Sequence, residues 1–380
     1  MRFPGFEGAW SERILGDCLS VCCKRNKERF TKNDVLSVSG EFGIVNQIAF
    51  QGRSFAGESI AEYKIVSPGL IVYTKSPLRE APYGIVKTSR TANGIVSPLY
   101  GVYSASNDID PCFIEFYFAD ALRRNRYFKP LVNLGPKHTM CISDKSALNG
   151  TIVFPPKEEQ GVICEILDTL DTRIAAQRKL IELLKKHKRG LLRVIFEENG
   201  VGGYRTFCEI AKRRNEKIAP ISDSPLSCIE LEHIEPETGR LLGKAPLRRQ
   251  NSLKNLCRPN DIIFGKLRPY LRKFSFVETE CAASSETWVL VAAKGILPRY
   301  LFYLIQSEPF MRTAIVSSGT KMPRSEWTNV ASAQFRIPNA ERQRSVAESF
   351  QHLDNRIQAS IRIVDALESL KRGLLQGLFV

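Results

Sequence analysis

Two stretches of the chain carry apolar residues in alternating steps of four and three, with polar residues between them. Such spacing places its members along one side of an α-helix and is typical of helices that pair in a coiled coil. We therefore predict two long helices that pair through these positions. In the first stretch the positions are Ile163, Leu167, Leu170, Ile174, Gln177, Ile181, Leu184, Lys188, Leu191 and Ile195. In the second they are Val346, Phe350, Leu353, Ile357, Ser360, Val364, Leu367, Lys371, Leu374 and Leu378.

The two stretches are copies of one another. Residues 154–196 align with residues 337–379 without a gap, and 16 of the 43 aligned positions are identical. The identities include L-D-x-R-I at 170–174 and 353–357, and K-R-G-L-L at 188–192 and 371–375. Prolines stand at the start of each copy and none lies further in, as a long uninterrupted helix requires. The chain therefore contains an internal duplication.

The polar residues of the pattern favour an antiparallel pairing of the two helices. In a parallel pair Lys188 would face Lys371, which would place two cations in one layer. In an antiparallel pair Lys188 meets Leu353 and Lys371 meets Leu170, so we expect each ammonium group to extend outward to solvent.

Two points stay open at this stage. Gly190 and Gly373 lie inside the predicted helices, where each costs about 1 kcal/mol relative to alanine. A close helix crossing and a local kink would each explain them. The two helices could also pack separately, each on its own domain, instead of pairing.

A globular segment precedes each helix. We predict domains at residues 1–153 and 200–336, and helical segments at 154–199 and 337–380. Both globular segments contain short strand-like runs followed by a helix-like stretch, and residues 67–75 resemble residues 258–266. These features predict an α+β fold that is used twice. The matched strand-like runs are 69–74 with 261–265 and 94–96 with 287–291, and the helix-like stretches are 113–123 and 299–306.

The charge balance indicates the kind of partner. The chain has 55 Lys and Arg residues against 40 Asp and Glu residues, a net charge of +15 at pH 7. Such an excess favours nucleic acid or an anionic membrane surface as a partner, although some soluble proteins are simply basic. No segment has the ~20 apolar residues of a membrane span. The chain shows no secretory signal and its ten cysteines form no C-x-x-C pair, so we expect free thiols and a cytoplasmic location.

The sequence supplies no catalytic motif. It has no G-x-x-x-x-G-K-[ST] loop, no H-E-x-x-H pair and no nucleophile elbow. The four histidines are scattered, and no histidine lies within 100 residues of the Cys18, Cys22 and Cys23 cluster. We predict neither a catalytic residue nor a metal site in this chain.

The order of domain, long helix, domain and long helix resembles the specificity subunit of type I restriction-modification enzymes. The resemblance rests on P-x-x-E-x-Q at the start of each helix, on L-D-x-R-I within it, and on the opening G-F-E-G-A-W at 5–10. It implies two target-recognition domains, separated by two long antiparallel coiled-coil helices. Each domain would bind one half of a split, asymmetric site in double-stranded DNA, and the helices would fix the gap between the halves.

The same resemblance implies a non-catalytic role within a DNA adenine methyltransferase and endonuclease complex. Two methyltransferase (modification) subunits would dock on the helices, and restriction subunits would join them. The chain itself would hold no cofactor, because S-adenosylmethionine, ATP and Mg would bind to the partner subunits. An alternative from another class is a coiled-coil scaffold that joins two protein- or RNA-binding domains.

Basic and aromatic residues in predicted loops are the candidates for DNA contact, since Arg and Lys bind phosphates and guanine edges. The pairs Arg79 with Tyr83 and Arg268 with Tyr270 are preferred, because each follows the matched strand and its lysine. The candidates in the first segment are Lys24, Arg25, Arg53, Lys75, Arg79, Tyr83 and Lys137. Those in the second are Arg213, Arg214, Arg248, Arg249, Lys266, Arg268, Tyr270 and Lys321.

Overall fold

The structure is a computed structural model that describes residues 2–78, 80–134, 140–198, 201–221, 224–316 and 322–379. The chain divides into two compact units. The first unit comprises Met1–Ala176 with Val364–Val380, and the second comprises Gln177–Ile363. Each unit therefore holds one globular segment and part of both duplicated helices.

The first unit is built from short strands and short helices ahead of the first long helix. Its strands are β1 Ser11–Ile14, β2 Leu19–Val21, β3 Leu36–Ser39, β4 Gly43–Asn46, β5 Lys64–Val66, β6 Ile71–Thr74, β7 Val86–Thr88, β8 Gly94–Val96, β9 Tyr100–Ala105, β10 Asn133–Leu134, β11 Met140–Cys141 and β12 Thr151–Phe154. Its helices are α1 Leu15–Cys18, α2 Gln47–Gln51, α3 Pro111–Tyr117 and α4 Ala121–Phe128, followed by the long helix α5 Lys157–Arg193.

In the second unit the globular segment follows a π-helical turn at Val194–Glu198. Its strands are β13 Gly203–Thr206, β14 Ala211–Arg213, β15 Lys217–Ile218, β16 Ser227–Ile229, β17 Ala245–Pro246, β18 Lys254–Cys257, β19 Ile262–Gly265, β20 Phe274–Phe276, β21 Cys281–Ala283, β22 Thr287–Ala292 and β23 Gln334–Ile337. Its helices are α6 Phe207–Ile210, α7 Pro298–Leu304, α8 Glu308–Ile315 and α9 Trp327–Ser332, followed by the long helix α10 Ala340–Leu378.

The two units share the topology of one four-stranded sheet, whereas a further five-stranded sheet, β15-β18-β21-β16-β17, occurs in the second unit. A four-stranded antiparallel sheet has the order β2-β9-β6-β7 in the first unit and β14-β22-β19-β20 in the second. In both units a two-stranded ribbon, β1-β12 or β13-β23, leads into a long helix. The shared four-stranded sheet and ribbon confirm the prediction that a mixed helix and strand fold occurs twice in the chain.

Two details of the sequence prediction are wrong. The strand that matches Thr287–Ala292 is Tyr100–Ala105, because each of these strands lies second in its four-stranded sheet. Gly94–Val96 instead pairs with Lys64–Val66 outside that sheet. The single helix predicted at 113–123 is two helices, since Asp120 accepts a hydrogen bond from the Arg123 N–H and caps a new helix.

The predicted pairing positions of both long helices are removed from solvent. All twenty positions are buried or half-buried, including Ile163, Leu167 and Phe350 at 1% exposure or less. In the first unit Leu170 of α5 and Leu374 of α10 contribute to one core, and in the second unit Leu192 of α5 and Phe350 of α10 do so. In each unit the early part of one helix therefore shares a core with the late part of the other.

Each unit also contains one ion pair between the two long helices. In the second unit Nζ of Lys188 lies 2.7 Å from Oδ1 of Asp354, and in the first unit Lys371 donates a hydrogen bond to Asp171. The two pairs are equivalent under the duplication, because each joins the lysine of K-R-G-L-L in one copy to the aspartate of L-D-x-R-I in the other.

The expectation that both lysines extend to solvent is wrong for Lys188. The side chains of Lys188 and Asp354 are 6% and 15% exposed, against 22% and 44% for Lys371 and Asp171. The Lys188 ammonium also lies 5.4 Å from the centre of the Tyr303 ring. A buried carboxylate and an aromatic face replace water around it.

A glutamine fixes the start of each long helix to its unit. Oε1 of Gln160 accepts the Asp110 N–H at 2.9 Å, and Oε1 of Gln343 accepts the Leu297 N–H at 2.9 Å. The amide nitrogens of both glutamines donate to carbonyl oxygens, including that of the preceding proline, Pro155 or Pro338. Both glutamines are 1% exposed, so P-x-x-E-x-Q encodes a buried hydrogen-bond link.

Matched aromatic residues hold the ends of the long helices. Phe379 lies 5.3 Å from Phe113 of α3 between ring centroids, and Phe196 lies 5.5 Å from Tyr300 of α7. The two phenylalanines occupy equivalent positions of the duplication. The start of one long helix and the end of the other are thus packed into each unit.

The two glycines of the repeat have no close neighbour. A Cβ added to Gly190 or Gly373 would meet no atom of the described chain within 4 Å, other than the backbone of its own helix. Both residues are exposed and lie inside continuous helices. A close crossing within this chain therefore does not explain them.

We predict that Asp354→Asn destabilises the chain by about 3–5 kcal/mol, because it leaves the buried Lys188 ammonium without a counter-ion. The matched control is Asp171→Asn, which should cost less than about 1 kcal/mol because that pair is largely exposed. Urea unfolding followed by circular dichroism measures both. Equal losses in the free energy of unfolding for the two variants would contradict the assignment of Lys188 and Asp354 as the buried pair.

The cost of Asp354→Asn should also depend on pH. Burial lowers the pKa of Lys188 below 10.5 in the folded chain. Between the lowered pKa and 10.5 the unfolded chain binds more protons than the folded chain, so the free energy of unfolding rises with pH. Removal of Asp354 lowers that pKa further, and the loss should therefore shrink as the pH approaches about 10. If Asp354→Asn lowers the free energy of unfolding by the same amount at about pH 7 and at about pH 10, the prediction is contradicted.

Candidate nucleic-acid interface

The loop after strand β19 is held by backbone hydrogen bonds from two other segments. The Lys266 N–H donates to the Glu286 carbonyl oxygen at 3.0 Å, and the Lys266 carbonyl oxygen accepts the Ser325 N–H at 2.8 Å. The Arg268 N–H donates to the Pro323 carbonyl oxygen at 2.8 Å. The side chains of this loop therefore stand on a fixed backbone.

Two arginines of the loop adopt the left-handed backbone region. Arg268 (φ 50°, ψ 60°) and Arg272 (φ 50°, ψ 48°) flank a 3-10 turn at Pro269–Leu271. This region costs a residue with a Cβ about 1–2 kcal/mol, so the hydrogen bonds around it must hold it in place. The turn buries Pro269 and leaves Tyr270 52% exposed beside the exposed Arg268.

Two acidic side chains lie against this loop and both are paired, Glu308 with Arg272 of the loop and Glu286 with Arg324. Nε and Nη2 of Arg324 donate to the carboxylate of Glu286 at 3.0 and 3.1 Å. These hydrogen bonds lower the pKa of Glu286. Lys266 and Arg268 form no ion pair with the described part of the chain, so the loop keeps its positive charge.

Two neighbouring arginines, at the end of strand β14 and directly after it, differ in environment. Arg213 is exposed, and its guanidinium lies 4.7 Å from the centre of the Trp327 ring. Arg214 instead donates to both carboxylate oxygens of Asp261, at 2.7 and 3.0 Å, and this raises its pKa. Arg214 is therefore engaged in holding its own unit together, while Arg213 is available at the surface.

The remaining described candidates of the second unit are Arg248 and Arg249. Both are exposed on the 3-10 turn Leu247–Arg249, whose Leu247 is fully buried. The buried leucine anchors the turn, and the two guanidinium groups extend into solvent.

In the first unit three candidates lie near the surface. Lys24 is exposed, and the exposed Arg53 has its guanidinium 4.6 Å from the centre of the Phe55 ring. Nη1 of Arg25 donates to the Glu62 carbonyl oxygen at 2.8 Å, and its Nε lies 3.7 Å from the Glu62 carboxylate. Arg25 thus has an acidic partner, whereas Lys24 and Arg53 form no ion pair with the described residues.

The lysine after strand β6 has a different environment from its counterpart Lys266. Nζ of Lys75 donates to Asp144 at 2.8 Å, and Lys64 donates to the same carboxylate. Burial opposes ionisation of Asp144, but the two lysines outweigh it and lower the pKa of that carboxyl. Tyr83 is half-buried and packs against the core, in contrast to Tyr270.

Three candidates, Arg79, Lys137 and Lys321, lie outside the described residues. The predicted match of Arg79 and Tyr83 with Arg268 and Tyr270 can therefore be compared only at the tyrosines, which differ in exposure.

Three exposed phenylalanines in the first unit were missed by sequence reasoning. Phe42, Phe50 and Phe55 are 60%, 45% and 57% exposed, and the rings of Phe42 and Phe50 lie 5.5 Å apart. A phenylalanine usually signals a core position, so the sequence carries no sign that these three lie at the surface.

The described residues contain no group of three or more His, Cys, Asp or Glu side chains that could hold a metal ion. The helices among them include none with the length and apolar character needed to cross a membrane.

No protein-family profile matches the chain. The chain is 24% identical over 263 residues to the specificity subunit of type I restriction enzyme MjaVIII from Methanocaldococcus jannaschii. That alignment covers 60% of this chain and 60% of the relative, so the chain matches about three fifths of the curated protein's length. Over those residues the chain is similar to a type I restriction enzyme specificity subunit.

Solved structures agree in fold. The S subunit of the type I restriction-modification system from M. genitalium superposes with a TM-score of 0.62 at 12% identity, over 100% of this chain and 99% of that chain. A chain from a structure on complex assembly and conformational transition of the type I R-M system gives 0.51 at 15% identity, over 98% of both chains. The predicted resemblance to type I specificity subunits is confirmed.

We predict that Arg268→Gly is at least as stable as Arg268→Ala. Glycine removes the left-handed strain of about 1 kcal/mol, which alanine keeps. The controls are Arg248→Gly and Arg248→Ala. Because the backbone of Arg248 is not left-handed, Arg248→Gly should be less stable than Arg248→Ala. Urea unfolding of the four variants gives the comparison, and glycine that is less stable than alanine at both positions would refute the prediction.

Proposed function

We propose that this chain is the DNA-binding specificity subunit of a type I restriction-modification complex. Each unit binds one half of a bipartite, asymmetric site in double-stranded DNA. The observation that carries the proposal is the duplication: two units that share the strand order of a four-stranded sheet, each with both long helices packed into it. Two similar but diverged binding domains suit two different half-sites.

The relation to specificity subunits supports this assignment over the scaffold alternative. Specificity for DNA also agrees with the net charge of +15, because the polyanionic backbone dominates affinity for DNA. The scaffold alternative would leave the exposed, unpaired cations of both units without a role. Salt-dependent binding to a bipartite DNA site is therefore the property to measure first.

The structure supports some candidate residues for DNA contact more than others. In the second unit Lys266, Arg268 and Tyr270 share one fixed loop, and Arg213, Arg248 and Arg249 are exposed. In the first unit Lys24 and Arg53 are exposed, while Lys75 must exchange Asp144 for a phosphate or base. Arg25 and Arg214 already have acidic partners, which makes them weaker candidates.

Catalysis belongs to the partners in this proposal. Two methyltransferase subunits and the restriction subunits would carry the sites for S-adenosylmethionine, ATP and Mg, and the complex would work in the cytoplasm. The chain itself contributes recognition, because its sequence contains no catalytic motif. The rigorously purified chain should neither methylate nor cut DNA.

The two long helices form an antiparallel coiled coil that sets the gap between the half-sites. Support comes from the buried heptad positions and from the two equivalent ion pairs, Lys188 with Asp354 and Lys371 with Asp171. Both pairs form only in one register of an antiparallel arrangement. A fixed register is what a spacer of defined length requires.

We predict that the two half-sites are recognised independently. Arg268→Ala or Lys266→Ala should cost about 1–3 kcal/mol of binding at one half-site, with the preference at the other unchanged. Lys75→Ala should weaken binding at the opposite half-site. Arg214→Ala is the structural control, because Arg214 is already paired with Asp261. Selection from a randomised bipartite DNA library measures both halves, and a variant that changes both preferences would refute modular recognition.

We predict that the coiled coil determines the gap. One heptad inserted at matched places in both helices adds about 10 Å, or about three base pairs of B-DNA. The same change rotates the second half-site by roughly 100° around the duplex, so binding should weaken while the preferred gap grows by a few base pairs. The half-site sequences should stay the same. An unchanged gap with unchanged affinity in the same library selection would show that the helices do not set it.

A further inference from the structure

Each unit has a cavity at the same place in the duplication, beside the lysine of its interhelical ion pair. Lys371 and Arg372 of α10 line the cavity of the first unit, and their equivalents Lys188 and Arg189 of α5 line that of the second. The cavities differ in size, at about 430 Å³ in the first unit and about 40 Å³ in the second. We call the larger one the first-unit cavity.

One residue accounts for part of the difference in size. Gln306 lines the smaller cavity, is buried, and donates its amide N–H to the Phe302 carbonyl oxygen at 2.9 Å. Ala119 lines the first-unit cavity and lies as far beyond Pro111 of α3 as Gln306 lies beyond Pro298 of α7. An alanine side chain ends at Cβ, so the space that Gln306 fills in the second unit stays open in the first.

The first-unit cavity combines apolar and basic lining residues. Ile85, Val86 and Phe118 contribute apolar side chains. The described lining also contains four basic residues against two acidic ones, Asp120 and Glu368, which gives it a net charge of +2. Such a mixture is typical of a pocket for an organic anion, because apolar atoms bury the body of the ligand and a few charged groups orient it.

Two of the four basic residues have acidic partners within the chain. Lys87 donates a hydrogen bond to Glu115 at 3.0 Å, and Lys371 pairs with Asp171. Arg124 and Arg372 form no ion pair with the described residues. The cavity therefore keeps two guanidinium groups for a ligand, and this group matches the geometry of phosphate.

The guanidinium group of Arg124 is buried without a counter-ion from the described chain. Arg124 is 6% exposed, its Nη1 donates to the Phe118 carbonyl oxygen at 3.2 Å, and its Nε has no hydrogen-bond partner among the described residues. The nearby carboxylate of Asp120 instead accepts the Arg123 N–H at 2.8 Å. Burial lowers the pKa of Arg124, because the charged form loses water. A buried cation without a partner is costly, and an anion bound beside it would remove that cost.

The start of helix α4 contributes backbone donors to the same cavity. Asp120 and Ala121, at the start of this eight-residue helix, belong to the lining. The first N–H groups of a helix have no partner within it, and together they attract anions. Guanidinium groups and a helix N-terminus thus line one cavity.

We propose that the first-unit cavity binds a small organic phosphate. Arg124, Arg372 and the start of α4 bind its phosphate group, and the apolar lining residues contact the rest of the molecule. A volume of about 430 Å³ lies within the range of ligand pockets, roughly 300–1,000 Å³. The equivalent cavity of about 40 Å³ is too small for such a molecule, so one ligand binds per chain. This site is separate from DNA recognition, because none of these residues is a candidate for DNA contact.

The test uses phenyl phosphate as the probe and the purified full chain. A salt concentration of about 0.15 M screens weak contacts of phosphate with exposed cations. Isothermal titration calorimetry should find one site per chain, with a Kd about tenfold or more below those of inorganic phosphate and of phenol. An affinity for phenyl phosphate that is no higher than for either fragment would overturn the proposal.

A matched pair of arginine variants locates the site. Arg124→Met should raise the Kd for phenyl phosphate about tenfold or more, since it removes the charge and keeps a long side chain. Arg126→Met is the control, because it removes the same charge from an exposed position of α4 outside the cavity lining, and its Kd should equal the native value. The thermal midpoint of Arg124→Met should stay or rise, because the variant removes a buried cation without a partner. A native Kd in Arg124→Met would overturn the proposal.

A substitution at Ala119 gives a second, independent test. Ala119→Gln installs the residue of the second unit at an exposed position, so it should reduce the cavity and abolish binding without unfolding the chain. Ala119→Ser is its control and should bind phenyl phosphate like the native chain. In methyl NMR spectra phenyl phosphate should shift the resonances of Ile85 and Val86 in the native chain but not in Ala119→Gln. Shifts that spare both residues in the native chain would overturn the proposal.

Discussion

A carboxylate in one copy of the repeat neutralises a lysine in the other copy, and it does so once in each unit. Asp354 contacts Lys188, and Asp171 contacts Lys371. A buried ion pair adds little net stability, since desolvation offsets most of the attraction, but a wrong register would leave a buried ammonium group alone. The pair therefore specifies the direction and register of the helices, while the apolar positions around it supply the attraction.

The remaining contacts of the long helices depend on this register. With the helices aligned by the ion pairs, Gln160 and Gln343 reach the backbone at the start of α3 and α7, and Phe379 and Phe196 reach the rings of those helices. Each unit is thus attached to the beginning of one helix and the end of the other. The same few residue types perform the same task twice, which explains why the repeat keeps them while the globular segments differ.

Recognition requires a different kind of surface from the one that holds the helices. The loop that carries Arg268 and Tyr270 has a strained backbone, fixed by hydrogen bonds to the Glu286 and Pro323 carbonyl oxygens and from the Ser325 N–H. Such a loop holds its side chains in place before a ligand arrives, which reduces the entropy lost on binding. In the proposed complex, the globular segments contact DNA and the long helices contact the methyltransferase, so the two kinds of partner do not compete for the same side chains.

The sequence by itself determined the duplication, the two long helices and the positions that these helices bury, because heptad periodicity and repeated motifs are local patterns that can be read along the chain. It also predicted that the two globular segments share one fold. It matched Gly94–Val96 to the wrong strand, however, since strand order in a sheet depends on long-range hydrogen bonds. Only the tertiary structure decided that Lys188 is buried against Asp354, that Arg214 is held by Asp261, and that Phe42, Phe50 and Phe55 are exposed. The reason is physical: the charge or ring of a side chain is fixed by the sequence, whereas its solvent exposure and its partner depend on residues that are distant along the chain.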